Sequence, residues 1–325
     1  MVETVRGQVS GEALGRTLMH EHIFVSDHEL EQTFPTAYAL DVDAQVAHAA
    51  KRVVLLAEVG FTTLVDLTVL GLGRKIKLIQ RVAELTTVNI IVATGAYVLR
   101  DLPHPLQLRG PGRTMFGGTE PMVELFVNDI TCGIAGTGVK AAILKCATDR
   151  FGLTKDVERT LRATARAQLA TGVPISTHTN AAKKVGLDQQ RVFAEEGVDL
   201  RRVVIGHSGD SDDLDYLMAL LEGGSYLGMD RFGLDYFLTL EKRIQVVAEL
   251  CARGFADRLV LSHDSCCANI AYSAQEIGRM VPDHDLTLIY REVLPGLRRH
   301  GVSEEQIQLM LVENPRRILS PDSAG

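Results

Sequence analysis

Eight continuous apolar or β-branched runs punctuate the chain, at Thr17–Phe24, Thr62–Thr68, Ile90–Gly95, Ala141–Cys146, Pro174–His178, Val203–His207, Ser225–Met229 and Arg258–His263. Between them apolar residues recur at three- and four-residue spacing, as in Val53/Leu56/Val59, Leu214/Leu217/Leu221 and Ile244/Val247/Leu250. That is the period of a helix with one buried face. Strands hydrophobic on both faces belong to a parallel sheet covered by helices. Their starts fall every ~25–45 residues, the span of one strand–helix unit with its loops. Eight such units predict an α/β fold of the (β/α)8 TIM-barrel type. A doubly wound open sheet is the alternative, but no Gly-x-Gly-x-x-Gly opens a helix after the first strand. No Gly/Pro/Ser-rich linker divides the chain. The expectation is therefore one domain over residues 1–325, with a short N-terminal extension. A C-terminal helix over Ser303–Leu319 would close the barrel's base or rim. The segment from Ser265 to Pro282 shows no clear strand and reads as a long, rather apolar loop.

Composition narrows the function classes. The 325 residues carry a net charge of −7, no Trp and only 5% aromatic residues. Neither a basic groove nor stacking platforms are offered to nucleic acid. The five cysteines are odd in number and form no Cys-x-x-Cys, which argues against a disulfide framework or a zinc ribbon and suits a reducing cytosol. The first residues lack the apolar stretch of a signal peptide, and no apolar run approaches a membrane span. The expected location is cytoplasmic.

In a barrel the C-terminal ends of the strands converge on one face, where active sites are built. His20, His22, His178 and His207 stand at such ends, and Asp264 closes the last. Residues i and i+2 of a strand share a face, so His20 and His22 point inward together while Glu21 points toward the helices. Lys145 also ends a strand. An ammonium beside a divalent cation would be repelled, and burial favours the neutral amine. A neutral amine can take up CO2 as a carbamate, an anion able to bridge two metals. Four imidazoles, one carboxylate and one carbamate suit two borderline divalent ions, zinc first, with cobalt, manganese or iron as alternatives. Such a pair, about 3.5–4 Å apart, clamps a hydroxide made nucleophilic at neutral pH. His28, His48, His104, His284 and His300 read as surface positions, and His263 as a residue packed behind Asp264.

Other motifs fall short. His20-Glu21-His22 is not the His-Glu-x-x-His of a helical zinc protease, because Phe24 holds the second His position. Gly206-His207-Ser208-Gly209-Asp210 lacks the last Gly of a nucleophile elbow. Gly133-x-x-Gly136-x-Gly138 has no following Gly-Lys-Ser/Thr and reads as a helix stop and turn.

Taken in order, several motifs resemble the phosphotriesterase-like lactonases of the amidohydrolase superfamily, over roughly Val5–Leu319. They are Leu18-Met19-His20-Glu21-His22, Val65-Asp66-Leu67-Thr68, Ile143-Leu144-Lys145-Cys146, Ile175-Ser176-Thr177-His178-Thr179, Ile205-Gly206-His207-Ser208-Gly209-Asp210, Leu227-Gly228-Met229-Asp230-Arg231-Phe232-Gly233, Leu261-Ser262-His263-Asp264 and Glu313-Asn314-Pro315. The resemblance implies that His20, His22 and Asp264 hold the more buried metal and His178 and His207 the more exposed one. Carboxylated Lys145 and a hydroxide would bridge them. It implies three catalytic residues: Asp264 as proton shuttle, Tyr97 lying over the metals to position a lactone, and Arg231 lining the pocket and bracing the last loop. Phosphotriesterases proper tend to carry Trp at the position of Tyr97. Asp66 and Asp230 become candidates to orient the histidines, since metal-bound imidazoles donate their other N–H to an acceptor. Phe232, Leu234, Tyr236 and Phe237, with Cys266, Cys267, Ile270, Ala271, Tyr272 and Ile277 of the last loop, would line an acyl channel.

The implied activity is hydrolysis of lactones, foremost N-acyl-homoserine lactones (quorum quenching), with weak phosphotriesterase activity. Relatives imply a homodimer, with no nucleic-acid or membrane partner. Primary organophosphate triester hydrolysis is one rival reading. A non-catalytic small-molecule-binding barrel is the other.

Overall fold

The computed structural model describes residues 1–38, 41–269, 276, 279 and 285–320. An antiparallel hairpin of β1 (Val2–Thr4) and β2 (Gly7–Val9) precedes the main sheet. All eight apolar runs form strands: β3 (Thr17–Val25), β4 (Thr63–Asp66), β5 (Asn89–Gly95), β6 (Ile143–Thr148), β7 (Ile175–Thr179), β8 (Val203–Ile205), β9 (Tyr226–Met229) and β10 (Leu259–Leu261). A further strand, β11 (Cys266–Asn269), follows β10 and pairs in parallel with β3. The parallel order is β10-β9-β8-β7-β6-β5-β4-β3-β11. At the seam the His20 N–H donates to Ser262 Oγ (2.9 Å), the Asp264 N–H to the His20 carbonyl (3.1 Å) and the His22 N–H to the Ser265 carbonyl (2.8 Å). These bonds bring β10 back to β3, and the fold is a TIM barrel.

Strand β11 corrects the expectation of a strandless segment after Asp264. Cys266-Cys267-Ala268-Asn269 contains no β-branched residue, and its pairing is supplied by the exposed end of β3, so no local signal marks it. Residues Ile270, Ala271, Tyr272, Ile277, Pro282 and His284 lie outside the described residues.

Alternate strand residues divide between two cores. Met19, Val65, Ile91, Ile143, Val204 and Val260 fill the barrel, joined by Val2, Leu14, Ile318 and Leu319. Leu18, Leu64, Ile90, Leu144, Ile175 and Val203 face outward against the helices. Those helices bury the predicted stripes: Val53 and Leu56 on Val42–Glu58, Leu217 and Leu221 on Leu214–Glu222, and Ile244, Val247 and Leu250 on Leu240–Ala252. The C-terminal helical stretch begins at Glu304 and runs to Leu319, and its last residues plug the barrel interior at the end away from the catalytic face. Ser303 caps it in a capping box with Gln306. No helix among the described residues is long and apolar enough to cross a membrane.

One glycine is required by close approach. Gly95 ends β5 at φ +134°, and a Cβ there would sit 1.9 Å from the Lys145 carbonyl. Its bareness lets β5 and β6 meet where Tyr97 and Lys145 enter the site.

Candidate active site

His20 and His22 project from β3, Lys145 from β6 and His178 from β7, while His207 and Asp264 follow β8 and β10. His207 and Asp264 both adopt the left-handed backbone region, at φ +58° and +56°, an uncommon state for residues with a Cβ. It turns both side chains back over the barrel mouth. Together with Tyr97, Arg231, Leu72, Leu234, Tyr236, Val25, Arg52, Ser265, Cys266 and Asn269 they line a cavity of about 370 Å3. Each residue singled out as metal ligand or catalytic group thus faces one space.

The imidazoles are oriented from behind. Asp230, fully buried, accepts from His20 Nδ1 and His207 Nδ1, both at 2.9 Å, and from the His207 N–H. Burial alone would raise the Asp230 carboxyl, but His207 and His20 hold it well below the usual carboxylate range. His22 Nδ1 lies 2.8 Å from Thr68 Oγ1, and His178 Nε2 lies 3.2 Å from Asp149. Asp66, expected as a possible orienting acid, makes no hydrogen bond to a histidine among the described residues, although His22 lies near enough to act on its charge. Its carboxylate accepts from the Ile23 and Thr68 N–H groups, so it braces strand ends instead.

With their outer nitrogens committed, the inner nitrogens turn on one another. His207 Nε2 stands 2.9 Å from His178 Nδ1. Lys145 Nζ lies 2.8 Å from His20 Nε2, and His22 Nε2 lies 3.3 Å from Asp264 Oδ1. Nitrogens whose rings donate backward present lone pairs forward, and facing lone pairs repel unless a cation lies between them. Burial lowers His20, carries His178 down to about 4 and takes His207 well below its ordinary value. All three are neutral, as ligation demands. This donor set fits divalent cations. His20, His22 and Asp264 already group their ligand atoms within 4.8 Å of one another.

Burial draws the Lys145 amine down to about 8, against the pull of Asp264 and Asp230. About a tenth of the amine is then unprotonated at pH 7, against well under a thousandth for an ordinary lysine, which makes reaction with CO2 accessible. Burial would raise Asp264, yet Arg231, His207 and His20 hold it well below the carboxylate range. Arg231 donates through Nε to Asp264 and through Nη1 to Asp210, both at 2.8 Å, and stacks under Phe237 at 4.8 Å. The Tyr97 hydroxyl lies 3.5 Å from His178 Nδ1, and burial pushes its pKa up, so it remains a donor. Of the expected channel residues, Leu234, Tyr236 and Cys266 line the cavity. Phe232 is instead packed in the outer core.

Several participants escaped the sequence reading. Asp149, four residues after Lys145, reaches His178 and also accepts from Asn180 (2.8 Å). Glu21, behind the site and wholly buried, accepts from Ser262 Oγ, the His263 N–H, His263 Nδ1 and the Ser265 N–H at 2.7–2.9 Å. Arg52 reaches the cavity from the helix Val42–Glu58. An acid beside a strand end was a visible signal for Asp149, whereas nothing local marked Arg52. His28, His48, His104 and His300 are exposed, as expected.

Such a mouth on a TIM barrel defines a metal-dependent hydrolase. The chain belongs to the phosphotriesterase family, whose model matches residues 1–319. It is 52% identical over 317 residues to the phosphotriesterase homology protein of Mycobacterium tuberculosis, covering 98% of this chain and 97% of that one. It is 38% identical to the aryldialkylphosphatase of Saccharolobus solfataricus, covering 97% and 98%. The solved structure of the phosphotriesterase from Mycobacterium tuberculosis superposes with a TM-score of 0.96, over 98% of both chains at 52% identity.

Proposed function

We propose that this hydrolase opens lactones, foremost N-acyl-homoserine lactones, and cleaves phosphotriesters as a slower side activity. The observation that carries the lactone half is Tyr97. Its ring meets His178 edge-on at 5.1 Å with its hydroxyl turned into the cavity, where a flat lactone ring can lie against it. The family resemblance drawn from the motifs places tyrosine here in lactonases and tryptophan in phosphotriesterases.

His20, His22 and Asp264 would hold one divalent ion and His178 and His207 a second, zinc in our reading, with a carbamate on Lys145 between them. Bound there, the ions would acidify a shared water and polarise the carbonyl oxygen. Asp264 takes the proton of the attacking water and returns it to the departing alkoxide. Arg231 fixes the Asp264 carboxylate in the geometry for both transfers. Tyr97 donates its hydroxyl toward the carbonyl and sets the plane of the ring.

Primary phosphotriester hydrolysis is the second reading, favoured by the names of the relatives. Specificity constants for a long-chain acyl-homoserine lactone and for paraoxon decide between them. A clear advantage for the lactone is expected; the reverse order overturns the proposal.

A further inference from the structure

Among the described residues, three basic side chains line the cavity: Arg52, Arg231 and Lys145. Arg231 is shared by two carboxylates, Asp264 and Asp210. Lys145 is sealed at 1% exposure between His20 Nε2 and the Thr177 carbonyl. Arg52 differs. Its guanidinium donates through Nη1 to the Cys266 carbonyl (2.6 Å) and through Nη2 to Ser265 Oγ (2.9 Å). Both partners are neutral, and no carboxylate among the described residues pairs with it. A guanidinium has five donors and a charge that is never lost at accessible pH, so these two bonds leave both donors and charge to spare.

Its place matters as much as its charge. Ser265 and Cys266 directly follow Asp264, and Cys266 pairs with His22 across the β11–β3 ladder. The guanidinium therefore stands beside the His22–Asp264 side of the metal-ligand cluster. Asn269, from the same strand, lines the same cavity. Going round the barrel, Leu72 and Tyr97 follow β4 and β5, and Leu234 and Tyr236 follow β9. Arg52 and Asn269 thus stand at the β11 sector, next to the ligand cluster on β3 and β10, while Leu72, Leu234 and the rings of Tyr97 and Tyr236 supply the apolar lining further round.

We infer that Arg52 is a specificity-determining residue that receives an anionic oxygen group, a carboxylate or phosphate, carried by the substrate near its scissile ester. This rests on reading the site as a lactone-opening one and extends that reading from neutral acyl-homoserine lactones to lactones that also carry an acidic group. A planar oxyanion group matches the arginine fork in shape as well as charge.

Two γ-butyrolactones of equal size, one bearing a ring carboxylate and the other a ring carboxamide, isolate the charge. The metal-loaded wild-type enzyme is expected to favour the carboxylate in kcat/KM by about tenfold or more, as a charge-assisted bond supplies. The preference should shrink as salt rises. Arg52→Met is expected to bring the carboxylate-to-carboxamide ratio to near unity, and Arg52→Lys to keep part of it. Wild-type preference for the carboxamide overturns the inference. So does an Arg52→Met enzyme slowed equally on both substrates, which would make Arg52 a staple between helix and β11. The wild-type comparison and its salt dependence stand even if the Met variant fails to fold. Hydrolysis of neither lactone beside good phosphotriester turnover overturns the lactone reading and this inference together; turnover of the carboxamide alone overturns only the inference.

Discussion

Lys145 is a primary amine at 1% exposure, 2.8 Å from an imidazole nitrogen and 3.1 Å from a backbone carbonyl. With divalent cations beside it, such a site would take the amine only as a neutral group or as an anionic carbamate. Lys145→Ala should therefore lose bound metal and turnover together, with partial rescue by short carboxylic acids that supply a replacement bridge. Metal analysis with and without added acid checks this, and full activity without rescue would remove the bridging role. Tyr97→Phe keeps the ring and deletes the hydroxyl. Because metal ions would carry most of the charge on the carbonyl oxygen, the loss in lactone kcat/KM should be modest, about 1–2 kcal/mol. Phosphotriester turnover should fall less. Equal losses on both substrates would mark Tyr97 as structural.

At the scale of elements, the β10–β11 connection decides where the proton-handling carboxylate sits. Asp264 holds a left-handed backbone conformation, and that conformation is fixed from behind by Glu21, whose carboxylate collects four donors from Ser262, His263 and Ser265. His263 Nε2 in turn accepts the Ile289 N–H (3.1 Å), tying the connection to the last helical layer. Glu21→Ala would strand four buried donors and should destabilise the fold by about 3 kcal/mol or more. Glu21→Gln retains one acceptor oxygen and should recover part of that. Urea unfolding of both variants, with kcat measured beside it, tests the assignment. A Gln variant as damaged as the Ala variant would show that the charge, rather than the hydrogen bonds, holds the turn.

Over the whole molecule, the neutral histidines make stability depend on pH in a definite direction. His178 titrates at about 4 in the fold against about 6.5 in an unfolded chain. The unfolded state therefore binds the proton first, and stability is lost as pH falls from about 6.5 toward 4. The slope per group approaches about 1.4 kcal/mol per pH unit within that window. His20 and His207, lowered by the same burial, add in the same sense. Chelator-treated protein should show a urea midpoint that drops from pH 7 to pH 5, and His178→Gln should flatten that drop. A midpoint independent of pH would contradict neutral, buried imidazoles.

The sequence by itself determined the barrel and its catalytic face. Eight apolar runs at strand–helix spacing, and histidines at their ends, are local patterns that hydrophobic burial enforces. The i, i+2 spacing of His20 and His22 determined that both share the interior face, because strand geometry leaves no other option. Tertiary structure alone decided the rest. Strand β11 exists because the end of β3 was open to pair with it, and Asp149 and Thr68 became histidine partners through distances set across different strands. Of the two acids offered for that role, Asp230 took it, while Asp66 was drawn instead to the backbone N–H groups of Ile23 and Thr68. Arg52 entered the cavity from a helix that covers the barrel's outside, because the chain after Asp264 turns across the barrel rim to meet it. Such placements depend on where separate elements end relative to one another, and that is a property of the packed barrel.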